Sequence, residues 1–352
     1  QEAFEMAGYL GDDPLVELII SFFDEQFFAD NPSRHDSSYW NYYESTKPDR
    51  TVPTGYVSIL DAVIAQHSSI ANTIQYNSKV IRIDATSHTG KVLVTYKKRI
   101  PQPSDLSAVA IHELADEDAS DGCNDLNEDD ETKWVRHTVE ANNVICTASL
   151  GVLRSGKIQF APPMPAPMQH AVDTLLFGIA NKVALFFDDH DTQRVLRSIR
   201  TNYIMRTSTV ANPRVNDGLM VFINDMHVRR QPVILSFFQG DYARQLDGLT
   251  KQQVVDRHMI ALREIFSGPS INATLPDPVK YKISNWSRNN FGGVYTTEGI
   301  NSTPADFAAL KAPIGLFHNV YLAGEHAAYP YNGYVHGAMI SGKEAAAAII
   351  AK

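Results

Sequence analysis

Cysteine and long apolar runs are scarce in the 352-residue sequence. Cys123 and Cys146 are its only cysteines, which excludes a disulfide scaffold and a cysteine-rich metal site but leaves one disulfide possible. The longest apolar runs, residues 18–23 and 345–351, are far shorter than the roughly 20 residues that span a bilayer. We therefore predict no transmembrane helix and no metal site.

Positive charge is also in deficit, since the formal net charge is −9. Ten acidic residues and no lysine or arginine lie between Glu113 and Glu131, and the rest of the chain is close to neutral. Such a run is typical of a solvated surface insertion. Nothing in this composition predicts a nucleic-acid partner.

A phosphate-binding glycine motif is missing as well. Gly8 and Gly11 are the only glycines before Gly55, and neither follows a strand pattern. A dinucleotide-binding βαβ unit needs Gly-x-Gly-x-x-Gly directly after its first strand. The sequence also begins at Gln1 without an initiator methionine, so we expect a processed or truncated chain.

Helical and extended patterns both occur along the chain, which predicts an α/β fold class. Apolar residues at helical spacing predict helices at residues 14–28, 55–66, 164–176, 252–266 and 333–351. β-branched runs predict strands at residues 79–85, 91–97, 135–147, 182–187, 219–223, 232–238, 279–286 and 320–323. We expect the strands at 182–187, 219–223 and 232–238 to belong to a mixed sheet.

The strongest motif extends from Val320 to Gly342. A buried strand is predicted to end at Gly324-Glu325, and a glycine-rich turn then opens a helix whose first amides can face an anion or a polarised carbonyl. Gly333 and Gly337 would let the backbone approach a flat ring, and Gly342 would let the helix pack against a strand.

This motif resembles the closing motif of the flavin-containing amine oxidases, and Tyr-Asn-Gly-Tyr-Val-His-Gly at 331–337 is similar to the polyamine oxidases. The resemblance covers roughly residues 40 to 350. It implies FAD/NAD(P)-binding-like pieces that flank a substrate domain with a mixed sheet and helices. It also implies that the first FAD-binding βαβ unit is missing, so that the chain is a fragment or the N-terminal part is a separate segment or chain.

The resemblance divides the chain into three parts. Residues 1–154 would hold substrate-domain helices and part of the FAD-binding domain, with the acidic insertion at about 113–132. Residues 155–317 would form the substrate-binding domain, and residues 318–352 the C-terminal FAD-binding segment.

Three residues match the family's catalytic positions. Lys182, in the segment 177–187, matches a lysine that holds a water near flavin N5. We expect its ammonium to be buried, and because burying a charge is costly, this indicates a functional role. Tyr295 and Tyr334 match the two walls of an aromatic cage that faces the flavin and attracts a cationic amine.

Further residues match cofactor or substrate contacts. The cofactor set is Val80, Trp286, Gly324, Glu325, Gly333, Tyr334 and Val335. Glu44 and Phe291 are substrate candidates, and Trp286 is expected to be buried. Ser149 stands where family members usually have proline. No cysteine lies beside residues 331–335, which predicts that FAD is bound non-covalently.

The activity implied is FAD-dependent oxidation of an amine, first of all a polyamine, to an imine. Hydride would pass to flavin N5, and dioxygen would be reduced to hydrogen peroxide. An L-amino-acid oxidase is an alternative and would need an arginine, Arg206 or Arg288, for the substrate carboxylate. The other alternative is a non-catalytic remnant or subunit of an amine oxidase. A histone-demethylase-like enzyme is less expected, because the sequence has no long coiled-coil insertion.

Overall fold

The computed structural model describes residues 29–30, 34, 52, 54–100, 131–201, 203–206, 220–284, 286 and 292–352. The helix predicted at 14–28 and most of the acidic insertion lie outside these residues. The strands in chain order are β1 (Ser78–Asp84), β2 (Val92–Arg99), β3 (Trp134–Ala141), β4 (Val144–Cys146), β5 (Gln159–Ala161), β6 (Leu176–Phe177), β7 (Ala180–Phe186), β8 (Tyr203–Arg206), β9 (Met220–Asn224), β10 (Val233–Gln239), β11 (Lys280–Ile283), β12 (Thr296–Thr297) and β13 (Val320–Leu322).

The helices in chain order are α1 (Val57–Gln66), α2 (Ser68–Ala71), α3 (Leu150–Arg154), α4 (Ala166–Thr174), α5 (His190–Ser198), α6 (Asp225–Val228), α7 (Gly240–Leu246), α8 (Lys251–Ser267), α9 (Pro304–Leu310) and α10 (Val335–Ile350). Short 3₁₀ turns precede β3 and follow β13, at Glu131–Lys133 and Glu325–Ala327.

A five-stranded antiparallel sheet with order β11-β7-β10-β9-β8 supports the first core. Helix α8 packs on it through residues four apart, including Val254, Leu262 and Phe266. A capping box starts this helix, because the Gln253 amide donates to Thr250 Oγ1 at 3.3 Å and the Thr250 amide donates to Gln253 Oε1 at 2.9 Å. The helical spacing thus turns one apolar face toward the sheet.

A four-stranded sheet with order β3-β2-β1-β5 and helices α3, α4 and α9 enclose the second core. Strand β5 runs parallel to β1, and the other pairs are antiparallel. The Arg154 guanidinium fixes the end of α4, because it donates to the carbonyl oxygens of Val172 (2.8 and 3.0 Å) and Leu175. These carbonyls have no helical partner at a C-terminus, so the arginine satisfies them.

Strands β4 and β13 form a separate parallel pair. Val144 pairs with Val320 and Cys146 pairs with Leu322, and β13 is buried throughout. Because parallel strands point the same way, residues 147–149 and 323–326 leave the pair at one edge. The carboxyl edge of parallel strands is where ligands bind in open α/β folds.

The α/β fold class with helices and a mixed sheet is confirmed. The mixed pairing lies in the four-stranded sheet. The expectation that the strands at 182–187, 219–223 and 232–238 form a mixed sheet is wrong, because their five-stranded sheet is antiparallel throughout. The extended segment predicted at 135–147 is divided between β3 and β4. Helix α1 forms as predicted, but none of its residues is buried, and Tyr56 and Leu60 are more than half exposed.

Two findings concern the described part of the chain only. None of its helices combines the length and the apolar character that a bilayer crossing requires. It also contains no group of three or more His, Cys, Asp or Glu side chains placed to bind a metal ion.

His258 is a buried titratable group in the first core. Its ring lies 5.0 Å from the Phe238 ring, and Nδ1 donates to the Val254 carbonyl at 2.7 Å. Burial lowers the pKa of His258 to about 4, although the bond to Val254 opposes the shift. Between this pKa and the ordinary value of 6.5, only the unfolded state binds the proton.

We predict that the free energy of unfolding falls as the pH is lowered from 6.5 toward 4, with roughly 3 kcal/mol of the fall due to His258. His258→Leu should remove that part of the pH dependence. Met259→Leu, a buried neighbour without an ionisable group, should keep it. Urea denaturation at several pH values measures both, and parallel profiles for wild type and His258→Leu would contradict the assignment.

Candidate active site

The turn after β13 requires glycine at its first position. Gly324 has φ +149°, and a Cβ there would lie 2.5 Å from the His326 ring. Ser341 on α10 fixes this glycine, because its hydroxyl donates to the Gly324 carbonyl at 2.7 Å and accepts from the Gly324 amide at 2.8 Å. The long helix is thereby tied to the end of the buried strand.

Glu325 lies directly after this glycine and turns its side chain into the protein. Its Oε1 accepts from the Thr296 hydroxyl at 2.8 Å, and its Oε2 accepts from the Gly333 amide at 2.7 Å. The Thr296 amide points between both oxygens at 3.2 and 3.1 Å. Burial raises the pKa of Glu325, and these donors oppose the rise.

Tyr295 and Tyr334 lie next to the residues that Glu325 binds. Gly333 has φ +78°, and a Cβ at this residue would lie 3.4 Å from Tyr295 Cδ2, so the Tyr295 ring packs over the glycine. The Tyr334 ring stacks on His336 with centroids 5.1 Å apart and an interplanar angle of 28°. The structure therefore brings Tyr295 to the turn that leads to Tyr334.

Burial also shapes the ionisation of these tyrosines. It raises the pKa of Tyr295, with a further contribution from the negative charge of Glu325. Burial likewise raises the pKa of Tyr334. Both residues are neutral phenols at physiological pH, so they offer aromatic faces and no negative charge.

A second hydrogen-bonded connection joins Tyr295 to the segment before β7. The Gly178 amide donates to the Tyr295 carbonyl at 2.9 Å, and the Val294 amide donates to the Gly178 carbonyl at 2.8 Å. Gly293 permits this approach, because a Cβ there would lie 2.4 Å from the Phe177 ring. Gly293 is the glycine of the Gly-x-Tyr pattern that ends at Tyr295.

Lys182 on β7 is exposed, so the expectation of a buried ammonium is wrong. The Lys182 Nζ lies 5.4 Å from the centroid of Phe237, its partner on β10. Side chains alternate between the faces of a strand, and Lys182 occupies the outward position between buried Asn181 and Val183. The cation–π contact holds the ammonium over a ring while leaving it hydrated.

Trp286 is 46% exposed, so the expectation that it is buried is also wrong. Its backbone is fixed nonetheless, since the Trp286 amide donates to Oδ1 of buried Asn181 at 2.9 Å. Val80 is half-buried in β1, next to the irregularity in pairing with β2 between Val80 and Arg82. Glu44, Phe291 and Arg288 lie outside the described residues, as does the side chain of Arg206.

Helix α10 starts close to the tyrosine-rich turn. A Cβ at Gly337 would lie 2.0 Å from the Tyr331 carbonyl oxygen, so this glycine packs closely against the turn, and its approach to a flat ring stays a prediction. Gly342 differs, because nothing lies within 4 Å of a Cβ there, and the expected close packing against a strand is wrong. Tyr334, the N-cap, makes no side-chain capping bond, so the first amides of α10 have no cap from that side chain.

Several features at the carboxyl edge of β4 and β13 fit a flavin. Ser149 Oγ and His326 Nε2 are buried, and within the described chain neither has a hydrogen-bond partner. Burial lowers the pKa of His326 to about 4, so its ring is neutral and can donate or accept. Buried polar atoms without a hydrogen-bond partner at this edge suit the polar edge of a flat heterocycle.

Three polar residues of this region were missed in the sequence. The Asn332 side-chain amide donates to the Thr296 carbonyl at 3.1 Å and to Glu298 Oε1 at 3.3 Å. Burial raises the pKa of Glu298, and the charge of Glu325 adds to the rise. Asn332 lies inside the motif at 320–342. Its partners Thr296 and Glu298 lie outside that motif and come close to it only through tertiary packing.

Comparisons with known proteins identify the family and the fold of the chain. A family model described as flavin containing amine oxidoreductase matches residues 3–350. In fold, the chain is similar to cyclohexylamine oxidase from Brevibacterium oxydans, with a TM-score of 0.60 and 16% identity over 99% of this chain and 66% of that one.

Curated relatives are similar over part of their length. "Histone demethylase-like protein A" of Aspergillus fumigatus is 33% identical over 60% of this chain and 19% of its own length. "Lysine-specific histone demethylase 1 homolog 1" of Arabidopsis thaliana is 30% identical over 58% and 23%, respectively. "Polyamine oxidase 4" of Oryza sativa subsp. japonica is 31% identical over 58% and 38%. The chain thus spans less than two fifths of these relatives.

We predict opposite effects for one substitution at two positions of α10. Gly337→Ala should lower the free energy of unfolding by about 2–3 kcal/mol, because the methyl group overlaps the Tyr331 backbone. Gly342→Ala should raise it by about 1 kcal/mol, because alanine favours a helix where space is open. Chemical denaturation of both variants measures this, and changes of the same sign would contradict the packing described.

Proposed function

Because the chain belongs to the flavin-containing amine oxidoreductase family, we propose that it binds FAD non-covalently and oxidises a small cationic amine, with a polyamine as first candidate. The observation that carries the proposal is the packing of the Tyr295 ring over Gly333, next to Tyr334. Two neutral phenol rings at one turn form an apolar slot that attracts a cation without an ion pair.

A bound flavin would supply the acceptor for a hydride from the carbon beside the amine nitrogen, with dioxygen then reduced to hydrogen peroxide. The residues proposed to hold it are Val80, Trp286, Gly324, Gly333, Tyr334 and Val335, together with the backbone alone of Glu325, since Thr296 and Gly333 occupy its carboxylate. Among them, the glycines allow close approach of the backbone, and the first turn of α10 presents amide donors.

The protein's own contribution is to select and orient the amine. The ring faces of Tyr295 and Tyr334 line the alkyl chain and exclude water from it, and their raised pKa values keep both phenols protonated. Desolvation in the slot opposes the cation–π attraction, because it lowers the pKa of the bound amine and so favours the uncharged form that has a nitrogen lone pair.

A methylated lysine side chain is the second candidate substrate. The histone demethylases among the relatives support it, and their matched stretch covers about three fifths of this chain. A methylated lysine and a polyamine both present an alkyl amine with a hydrogen on the carbon next to nitrogen, so one slot suits either. An L-amino-acid oxidase stays the alternative that demands an arginine for a carboxylate.

The proposal predicts that the flavin-loaded protein shows a visible flavin band and that spermine or spermidine bleaches it without oxygen. A dimethyl-lysine peptide and a panel of L-amino acids are compared in the same anaerobic titration. Bleaching by the peptide alone would favour the second candidate, and bleaching by amino acids alone would favour the alternative oxidase. Failure to take up FAD would overturn the proposal and favour a non-catalytic remnant.

Variants of Tyr334 serve as matched controls for the slot. Tyr334→Leu should raise KM for the cationic amine about tenfold, because a cation–π contact is lost. Tyr334→Phe keeps the ring and should retain nearly the wild-type KM. Equal KM values for Tyr334→Leu and Tyr334→Phe would show that a cation–π contact with Tyr334 does not contribute to binding of the amine.

We further predict a role for Lys182 in the oxygen step. A positive charge stabilises the negative charge that develops on dioxygen as it is reduced, so Lys182→Met should slow reoxidation more than about tenfold. Anaerobic bleaching by the amine should change little, and Lys182→Arg should behave nearly as wild type.

Lys282→Met on the neighbouring strand β11 is the control, because Lys282 is also exposed. Stopped-flow mixing of the reduced protein with oxygenated buffer measures the rate. A Lys182→Met variant that reoxidises at the wild-type rate would exclude the role.

A further inference from the structure

We propose that Glu325 is a positioning residue whose carboxylate fastens the segment that bears Tyr295 to the turn that bears Tyr334. The catalytic meaning of this role rests on the proposed function, whereas the fastening itself does not. The family resemblance suggested a cofactor contact for Glu325. In the structure, its side chain instead accepts hydrogen bonds from Thr296 and Gly333.

Glu325 contacts the two segments at residues directly next to the tyrosines. On one side Thr296 donates through its hydroxyl at 2.8 Å and through its amide. On the other side the Gly333 amide donates at 2.7 Å. One carboxylate therefore fixes the backbone adjacent to each aromatic wall.

The chemistry of this position favours a carboxylate over an amide. An ionised carboxylate only accepts hydrogen bonds, and both Glu325 oxygens face donors. A glutamine would turn its NH₂ group toward one of those donors. Glu325→Gln preserves size and removes the charge, and its NH₂ must face either the Gly333 amide, which cannot accept, or Thr296, whose hydroxyl can accept but whose amide cannot.

Asn332 supports the same junction and keeps it from separating. Its side-chain amide donates to the Thr296 carbonyl at 3.1 Å. The pair β6–β12 adds backbone bonds, with Thr296 opposite Phe177. We therefore expect Glu325 variants to fold and to differ locally.

Neighbouring threonines provide matched variants. Thr296 and Thr297 are both buried in β12, but only the Thr296 hydroxyl reaches Glu325. The Thr297 hydroxyl has no hydrogen-bond partner within the described chain. Thr296→Val removes one donor to Glu325, Thr296→Ser keeps it, and Thr297→Val removes a hydroxyl of no use to the junction.

Hydrogen exchange of the flavin-loaded full-length protein, read by mass spectrometry, tests the fastening. Glu325→Gln should speed amide exchange about tenfold or more in peptides covering 293–298 or 331–335, because charge-assisted bonds to one or both segments are lost. Thr296→Val should do so more weakly and mainly in 293–298. Thr296→Ser and Thr297→Val should match wild type, and peptides from α8 serve as an internal reference.

Kinetics then connects the fastening to the proposed function. Glu325→Gln should lower kcat by about 100-fold, since small misplacement of orienting groups has effects of this size, with FAD affinity nearly unchanged. A large loss of FAD affinity with unchanged exchange would overturn the proposal and return Glu325 to the cofactor. Unchanged exchange in both segments would also overturn it, whether or not any amine is oxidised.

Discussion

The parallel pairing of β4 with β13 is the constraint on which the candidate site depends. It joins segments far apart in the sequence, and the whole five-stranded sheet lies between them along the chain. Parallel strands require a long connection, and this one also supplies β12. Because β12 pairs with β6, residues next to Tyr295 reach the turn after β13, where Glu325 binds Thr296. The site is therefore assembled by tertiary contacts of high sequence separation.

The carboxylates of Asp30 and Glu325 are stabilised by different kinds of donor. Asp30 is fully buried and accepts from the Arg244 guanidinium at 2.6 and 2.9 Å, which neutralises it. Glu325 is bound by backbone amides and a hydroxyl, and no lysine or arginine of the described chain forms an ion pair with it. Neutral donors stabilise its charge without cancelling it.

Local patterns predicted the elements that form mainly from their own residues. The spacing in α8, the hairpin of β1 and β2, and the glycine turn before α10 were all readable in the sequence. The exposure of Lys182 and the free space at Gly342 were not, because each depends on which neighbour covers that position. The partners of Glu325 were equally hidden, since a lone glutamate after a strand carries no signal of the threonine that approaches from β12.

The hydrogen bonds that fix the two segments around Glu325 are made by different atoms from the aromatic rings that are proposed to bind the amine. Two of the three donors to Glu325 are backbone amides, so the aromatic side chains make none of these hydrogen bonds, although the Tyr295 ring packs over Gly333. A substitution at 295 or 334 therefore leaves every donor to Glu325 in place. Under the proposed function, this division would let substitutions at the ring positions change which amine is accepted while the hydrogen bonds of Glu325 persist.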